Sequence, residues 1–173
     1  ITLNSDYAEG EIRSRYNFSK FPGYLMQIIS EYIPKLNGNE HKEIKDSTTN
    51  GNEYLVKFRL KKTERLTSIL IPQFKIAEHS SIFGILNPKQ KSLDFKIRIP
   101  EVQYGSTWIK DLIIDGQTSD STLTAVLTSP TIKQGNAYIR NFKVNSILKS
   151  NLLNINFDWN NPDKPKTYGN IEG

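Results

Sequence analysis

The chain repeats itself at an interval of thirty residues, and a fixed period of that length limits the architectures open to it. Trp108-Ile109-Lys110-Asp111-Leu112 lines up with Tyr138-Ile139-Arg140-Asn141-Phe142, both reading aromatic, Ile, cation, Asp or Asn, apolar. Leu123, Ala125 and Leu127 line up with Leu153, Ile155 and Phe157 downstream and with Leu93, Phe95 and Ile97 upstream. Pro100 aligns with Pro130, Val102 with Ile132, and Gly105 with Gly135. Turn residues have no reason to fall in step by chance. The pattern gives three copies, 78–107, 108–137 and 138–167, the last degrading after Trp159, where Asn160-Asn161-Pro162-Asp163 opens a longer turn.

Each copy carries two strand patterns with turn residues between them. In the middle copy these are Trp108 to Asp115, a turn region Gly116 to Asp120, and Ser121 to Ser129. A lone hairpin cannot bury its apolar face in water, whereas stacked copies share one. The steps Ile109-Lys110-Asp111-Leu112 and Ile139-Arg140-Asn141-Phe142 break alternation at the same place. Two polar residues between apolar ones imply a bulge or corner, which bends a strand and raises its twist. Repeated once per hairpin, it predicts a mainly all-β chain: one long, curved, U-shaped sheet, a groove with its apolar face inside. At 36% apolar residues, composition suits a thin curved sheet better than a thick sandwich.

Upstream of the repeats, Glu9 to Phe18 alternates, with Ile12, Ser14, Tyr16 and Phe18 on one side and Glu11, Arg13, Arg15 and Asn17 on the other. The period then changes. Tyr24, Leu25, Ile28, Ile29 and Tyr32 fall at helical spacing until Pro34, predicting a short helix over 21–33 whose apolar stripe lies on the sheet or plugs the groove. The stretch 37–52 is polar and aperiodic, the pattern of a mobile loop. Glu53 to Leu60 alternates again, and Thr63 to Leu70 fits one or two helical turns ended by Pro72.

Little in the chain suggests chemistry. It has no cysteine, which excludes disulfides, thiolate metal sites and a cysteine nucleophile. Its two histidines, His41 and His79, lack a partner at ligand spacing, and no Gly-rich phosphate loop follows a strand. We therefore expect no enzyme activity, no metal and no cofactor. The net charge of +5 is spread along strands in alternation with apolar residues, as on a solvated face. No basic cluster carries a stacking-aromatic motif, so nucleic acid is not the expected partner. Asn17-Phe18-Ser19 fits the N-glycosylation pattern. Asp46-Ser47-Thr48 and Asp120-Ser121-Thr122 repeat one tripeptide that resembles the O-glycosylation acceptor of extracytoplasmic Bacteroidota proteins, with Ser47 and Ser121 as the candidate acceptors.

The run WIKDLIIDGQTSDSTLTAVL, the run GNAYIRNFKVNSILKSNLLNINFDWNNPDKPKTYGNIEG and the strand-then-helix stretch YNFSKFPGYLMQIISEYIP together resemble the TamB family of translocation and assembly module proteins in its Bacteroidota form. The resemblance covers most of the chain outside 37–52. It implies a protein anchored in the inner membrane and extending through the periplasm as a U-shaped sheet, often called a β-taco, related to AsmA-like and bridge-like lipid transfer proteins. It implies lipid passage toward the outer membrane, help in outer-membrane protein assembly, or both. The implied partners are phospholipid acyl chains and an Omp85-type (TamA-like) outer-membrane barrel. Membrane contact would come through the parent's N-terminal anchor, which this sequence does not contain. The chain would be a single interior or distal segment of such a protein.

A conducting floor needs alternation, curvature and no inward charge. The residues expected to line it are Ile12, Tyr16, Leu93, Phe95, Ile97, Leu123, Ala125, Leu127, Leu153, Ile155 and Phe157. Two other readings fit the strands. One is a secreted β-sandwich that binds glycans or another ligand on a platform of Tyr104, Trp108 and Trp159. The other is a stacked structural adhesin.

Overall fold

Strand length is set by the repeat. In the computed structural model, which describes residues 1–14, 17–32, 53–62, 73–119, 121–149, 151–161 and 164–172, the strands that begin at Ser92, Thr122 and Leu152 start thirty residues apart, as do those at Thr107 and Ala137. The predicted loop at 37–52, the helical turns near Thr63 to Leu70, Tyr16 and Ser47 lie outside the described residues.

In chain order the elements are β1 (Thr2–Asn4), β2 (Ala8–Arg13), a 3-10 turn (Phe18–Lys20), α1 (Phe21–Tyr32), β3 (Tyr54–Leu60), β4 (Phe74–Ile76), β5 (Ser81–Asn87), β6 (Ser92–Tyr104), β7 (Thr107–Ser119), β8 (Thr122–Gln134), β9 (Ala137–Lys149), β10 (Leu152–Asn161) and β11 (Lys164–Glu172). The described strands form one antiparallel sheet in the order β1-β2-β3-β5-β6-β7-β8-β9-β10-β11, with β4 extending the β5 side of β6. The sheet is curved and does not close, so the fold is the open all-β one that the repeat predicts.

Tight turns hold the copies in register. β6 and β7 are joined through Gly105, and β8 and β9 through Gly135. Both glycines have a φ of 57° at the first loop position, the backbone that a type II′ hairpin turn asks of its first residue and that glycine adopts without strain.

Two expectations about strand extent are corrected. The strand predicted over Glu9 to Phe18 ends at Arg13. Asn17 belongs instead to the next element, where its Oδ1 accepts from the Ser19 N–H at 3.1 Å and caps the 3-10 turn. Phe18 then stacks on Phe21 instead of joining a strand face. In the middle repeat, Gly116 to Ser119 continues β7 rather than forming a turn, and β8 begins at Thr122. Gly116 stays in the strand because the ring of Phe95, its cross-strand partner, lies over it.

The predicted corner is present and crosses the sheet as a crease. Asp111 and Asn141 have φ of 46° and 51°, a left-handed backbone that Asp and Asn tolerate better than most residues. Pro100 and Pro130 stand level with them and bring no N–H to the ladder. The buried Ser129 hydroxyl closes part of the gap, 2.7 Å from the Lys110 carbonyl and 3.0 Å from that of Thr131. Apolar positions step by three across this line, from Ile99 to Val102, Leu112 to Ile109 and Phe142 to Ile139. Each strand spends one extra residue there, so the β6–β7, β7–β8 and β8–β9 registers stay constant. True register shifts occur on both sides of β10: with β9 between Asp158 and Asn160, and with β11 between Trp159 and Asn161. The same crease splits the strand before β6 into β4 and β5, around the excursion of Ala77 to Ser80.

The predicted helix over 21–33 forms as Phe21–Tyr32. Its stripe of Tyr24, Ile28 and Tyr32 makes one buried cluster with Tyr54 on β3, Leu86 on β5 and Leu148 on β9. Tyr54 is fully buried and donates its hydroxyl to the Asn17 carbonyl at 2.8 Å. The helix, about 18 Å long, thus reaches strands that are about 24 Å apart on a flat sheet, and the curl makes up the difference.

Candidate functional site: an uncharged sheet face

Cross-strand partners in an antiparallel ladder share a face, as do residues two apart along a strand. The register therefore assigns each predicted floor residue to a row. Leu93, Leu123 and Leu153 fall in the first row, with Tyr54, Leu86 and Leu148. Between Leu93 and Leu123 the row holds Thr118, whose Oγ1 accepts from the Leu93 N–H at 2.8 Å. Ile12, Phe95, Ala125 and Ile155 share the second row with Val56, Gly84, Gly116, Ser146 and Ile171. Ile97, Leu127 and Phe157 share the third, which also carries Leu3, Phe58, Ile82, Ile114 and Val144. All the predicted residues that the structure describes stand on one face. Tyr16 is not among the described residues.

The three rows contain no charged side chain; Tyr54, Thr118 and Ser146 bear their only polar groups. Sequence reasoning missed Phe58, Ile82, Ile114 and Val144. Their alternation was visible, but only the register shows that β3, β5, β7 and β9 add to the same row.

Glycines set the shape of this face. A Cβ at Gly116 would fall within the ring of Phe95, and one at Gly169 within the ring of Phe157. Gly10 faces Phe58 more loosely, with a Cβ there 2.9 Å from one ring carbon. The rings of Phe95 and Phe157 occupy the space above the glycine on the strand beside them, where a second side chain would stand against the ring.

The cluster under helix α1 takes in the first row from β3 to β9, with Ile12 of the second row packed against it and Leu153 at the row's end exposed. Tyr54 and Leu86 are buried beneath the helix, while Ile82 is 42% exposed and Ile171 56%. Between helix and crease the second and third rows form an apolar strip that is half open to solvent.

The opposite face carries all the charged residues of these strands, mixed with apolar ones at Leu55, Phe83, Ile85, Ile113, Val126, Ile147 and Leu152. Lys96 pairs with Asp115 at 2.8 Å, and Glu9 with Lys61 at 3.2 Å and Arg59 at 3.9 Å. Glu11 hydrogen-bonds Arg13, whose guanidinium holds the carboxyl below the usual carboxylate range while its own pKa rises. A hollow of about 400 Å³ beside the Lys96–Asp115 pair opens on this polar side.

The other candidate residues are dispersed. Tyr104 and Trp108 point to opposite faces, since Trp108 pairs with Gln103 and not with Tyr104; with Trp159 they form no common platform. Ser121 sits exposed at the β7–β8 turn with φ of 64°. It edges a polar pocket of about 600 Å³ that Tyr32, Gln90, Lys91 and Thr118 also line. Among the described residues no group of three His, Cys, Asp or Glu side chains is placed to hold a metal ion, and no helix is long and apolar enough to cross a membrane. No family model, curated protein or solved structure matches this chain.

Proposed function

We propose that this chain is part of a periplasmic, TamB-like protein anchored in the inner membrane, and that its uncharged face is a floor along which phospholipid acyl chains pass toward the outer membrane. The same floor would serve outer-membrane protein assembly with an Omp85-type barrel partner. The observation that carries this reading is the absence, among the described residues, of any charged side chain from three rows running across the sheet, two of them left largely uncovered. A methylene moved from water to such a surface gains about 0.8 kcal/mol. An acyl chain laid along the strip would therefore be held by area alone, and its head group would stay wet at the open side. Transfer by area needs no chosen side chain at any one point, which suits a surface built from repeats.

The test is photo-crosslinking from the floor. A photoreactive residue at Phe95 or Leu127 should capture phospholipid, and one at Lys96 or Thr128, on the other face, should not. A folded protein that yields no lipid adduct from either floor position, in cells or with added phospholipid, would overturn the proposal.

A further inference from the structure

The crease divides the positive charge of the chain in a way that the sequence conceals. On the outer face from β2 to β10, cations and acids interleave, and the ion pairs Lys96–Asp115, Lys61–Glu9 and Arg13–Glu11 lie there. Beyond the crease, β4 and the far ends of β6 to β9 form a short arm. On one of its faces the register lines up Lys75, Gln103, Trp108, Lys133 and Tyr138. The next row on that face is Glu101, Lys110, Thr131 and Arg140. Among the described residues, four cations therefore share this face with a single acid, and none of the four makes an ion pair there. Glu101 stands opposite Lys110 in the ladder without closing a bridge to it. Lys133 instead lies 5.4 Å from the centre of the Tyr138 ring.

We propose that this arm face docks on the surface of a bilayer containing anionic phospholipid. Unpaired cations gain from an anionic leaflet what they lack within the protein, roughly 1 kcal/mol or fivefold in partition for each Lys or Arg near the surface. Trp and Tyr are the side chains that settle at head-group depth, ring in the acyl boundary and polar edge in water. Trp108 and Tyr138 stand on the same face as the cations and within their row, so one approach seats both kinds of contact. The proposal is independent of the trough reading, because it concerns the other side of the sheet from the uncharged floor.

Partition of the chain onto vesicles tests it. Vesicles of phosphatidylcholine alone are compared with vesicles holding about a third phosphatidylglycerol, where binding should be stronger and should fall as salt is added. Lys133→Gln with Arg140→Gln should weaken binding to the anionic vesicles by about twentyfold or more. Arg98→Gln with Lys143→Gln removes the same charge from the outer face on the other side of the crease and should change binding less than about twofold. In a Trp159→Phe background, Trp108 fluorescence should shift to the blue on binding. All these side chains are at least partly exposed, and circular dichroism confirms that each variant is folded. Equal partition onto both kinds of vesicle, an equal loss from both double variants, or unshifted Trp108 fluorescence overturns the proposal. So does a single-stranded oligonucleotide that binds the arm cations more tightly than the vesicles do, which would assign the face to nucleic acid.

Discussion

The ring of Phe95 on β6 lies across the backbone of Gly116 on β7, in the space that any Cβ there would occupy. The pair explains why a glycine stands in the middle of a thirteen-residue strand. An open glycine costs a strand about 0.5–1 kcal/mol against alanine, and here the ring covers it. Gly116→Ala should therefore destabilise the protein by about 1–3 kcal/mol, since the ring must swing off its seat. In a Phe95→Ala background the same change should be neutral or stabilising. Urea denaturation of the four proteins gives the coupling, and a cost of Gly116→Ala that persists without Phe95 would show that the ring is not its cause.

Asp111 and Asn141 offer a second contrast, because both sit at positive φ within strands. Glycine adopts that conformation freely, whereas a β-branched side chain is strained there. Asn141→Gly should be neutral or slightly stabilising, and Asn141→Val should cost about 1–3 kcal/mol. The ordering is the reverse of strand propensity, so midpoints from chemical denaturation decide between crease and ordinary strand.

Ser129 carries a third prediction. It is buried, and its hydroxyl stands in for a donor that Pro130 lacks. Ser129→Ala should cost about 1–3 kcal/mol by leaving the Lys110 carbonyl unpaired. Hydrogen exchange should quicken in β7 and β8 around the crease and remain unchanged beneath helix α1.

The helix depends on Tyr54, which sits against Phe21 edge to face with ring centres 5.2 Å apart and against Tyr24 at 6.2 Å. Tyr54→Phe removes the hydrogen bond to Asn17 and should cost about 0.5–1.5 kcal/mol. Tyr54→Ala empties the site and should cost about 3–5 kcal/mol. The amides of Phe21–Tyr32 should lose protection first, because the buried cluster is what holds the helix down.

Much of this fold was legible because alternation and repeat point the same way. Leu93, Phe95 and Ile97 share a face whatever the register, and their aligned copies at Leu123 and Leu153 follow. The helix was legible from the change of period at Tyr24 and Ile28. Other features depend on neighbours that sequence spacing does not reveal. Gly116 reads as a turn residue until Phe95 is seen above it. Phe18 reads as the end of a strand until Asn17 caps the turn before α1. Lys75 and Lys133 are far apart in the chain, and only β4, β6, β7 and β8 side by side place them in one row without acids. Across the crease, a step of three reverses the parity on which face assignment rests, so Ile109 and Ile132 could not be joined to the floor by counting.

A charge set into the floor separates a conducting surface from an ordinary half-exposed sheet. Leu127 lies in the third row between Ile114 and Val144, clear of the buried cluster under α1. Leu127→Lys would put an ammonium where an acyl chain must pass, and a charge cannot leave water for hydrocarbon without a large penalty. The long side chain can still reach solvent from the open face, so the protein should remain folded, with a loss of about 1–3 kcal/mol from the missing apolar burial. Phospholipid captured by a photoreactive residue at Phe95, in the adjacent row, should then fall by about tenfold if the charge costs a bound chain 1.4 kcal/mol or more. Thr128→Lys adds the same charge one residue away on the polar face and should leave capture as it was. Equal capture by the two folded variants would mean that lipid at Phe95 does not run along the third row, and the sheet would then be an apolar surface without a path.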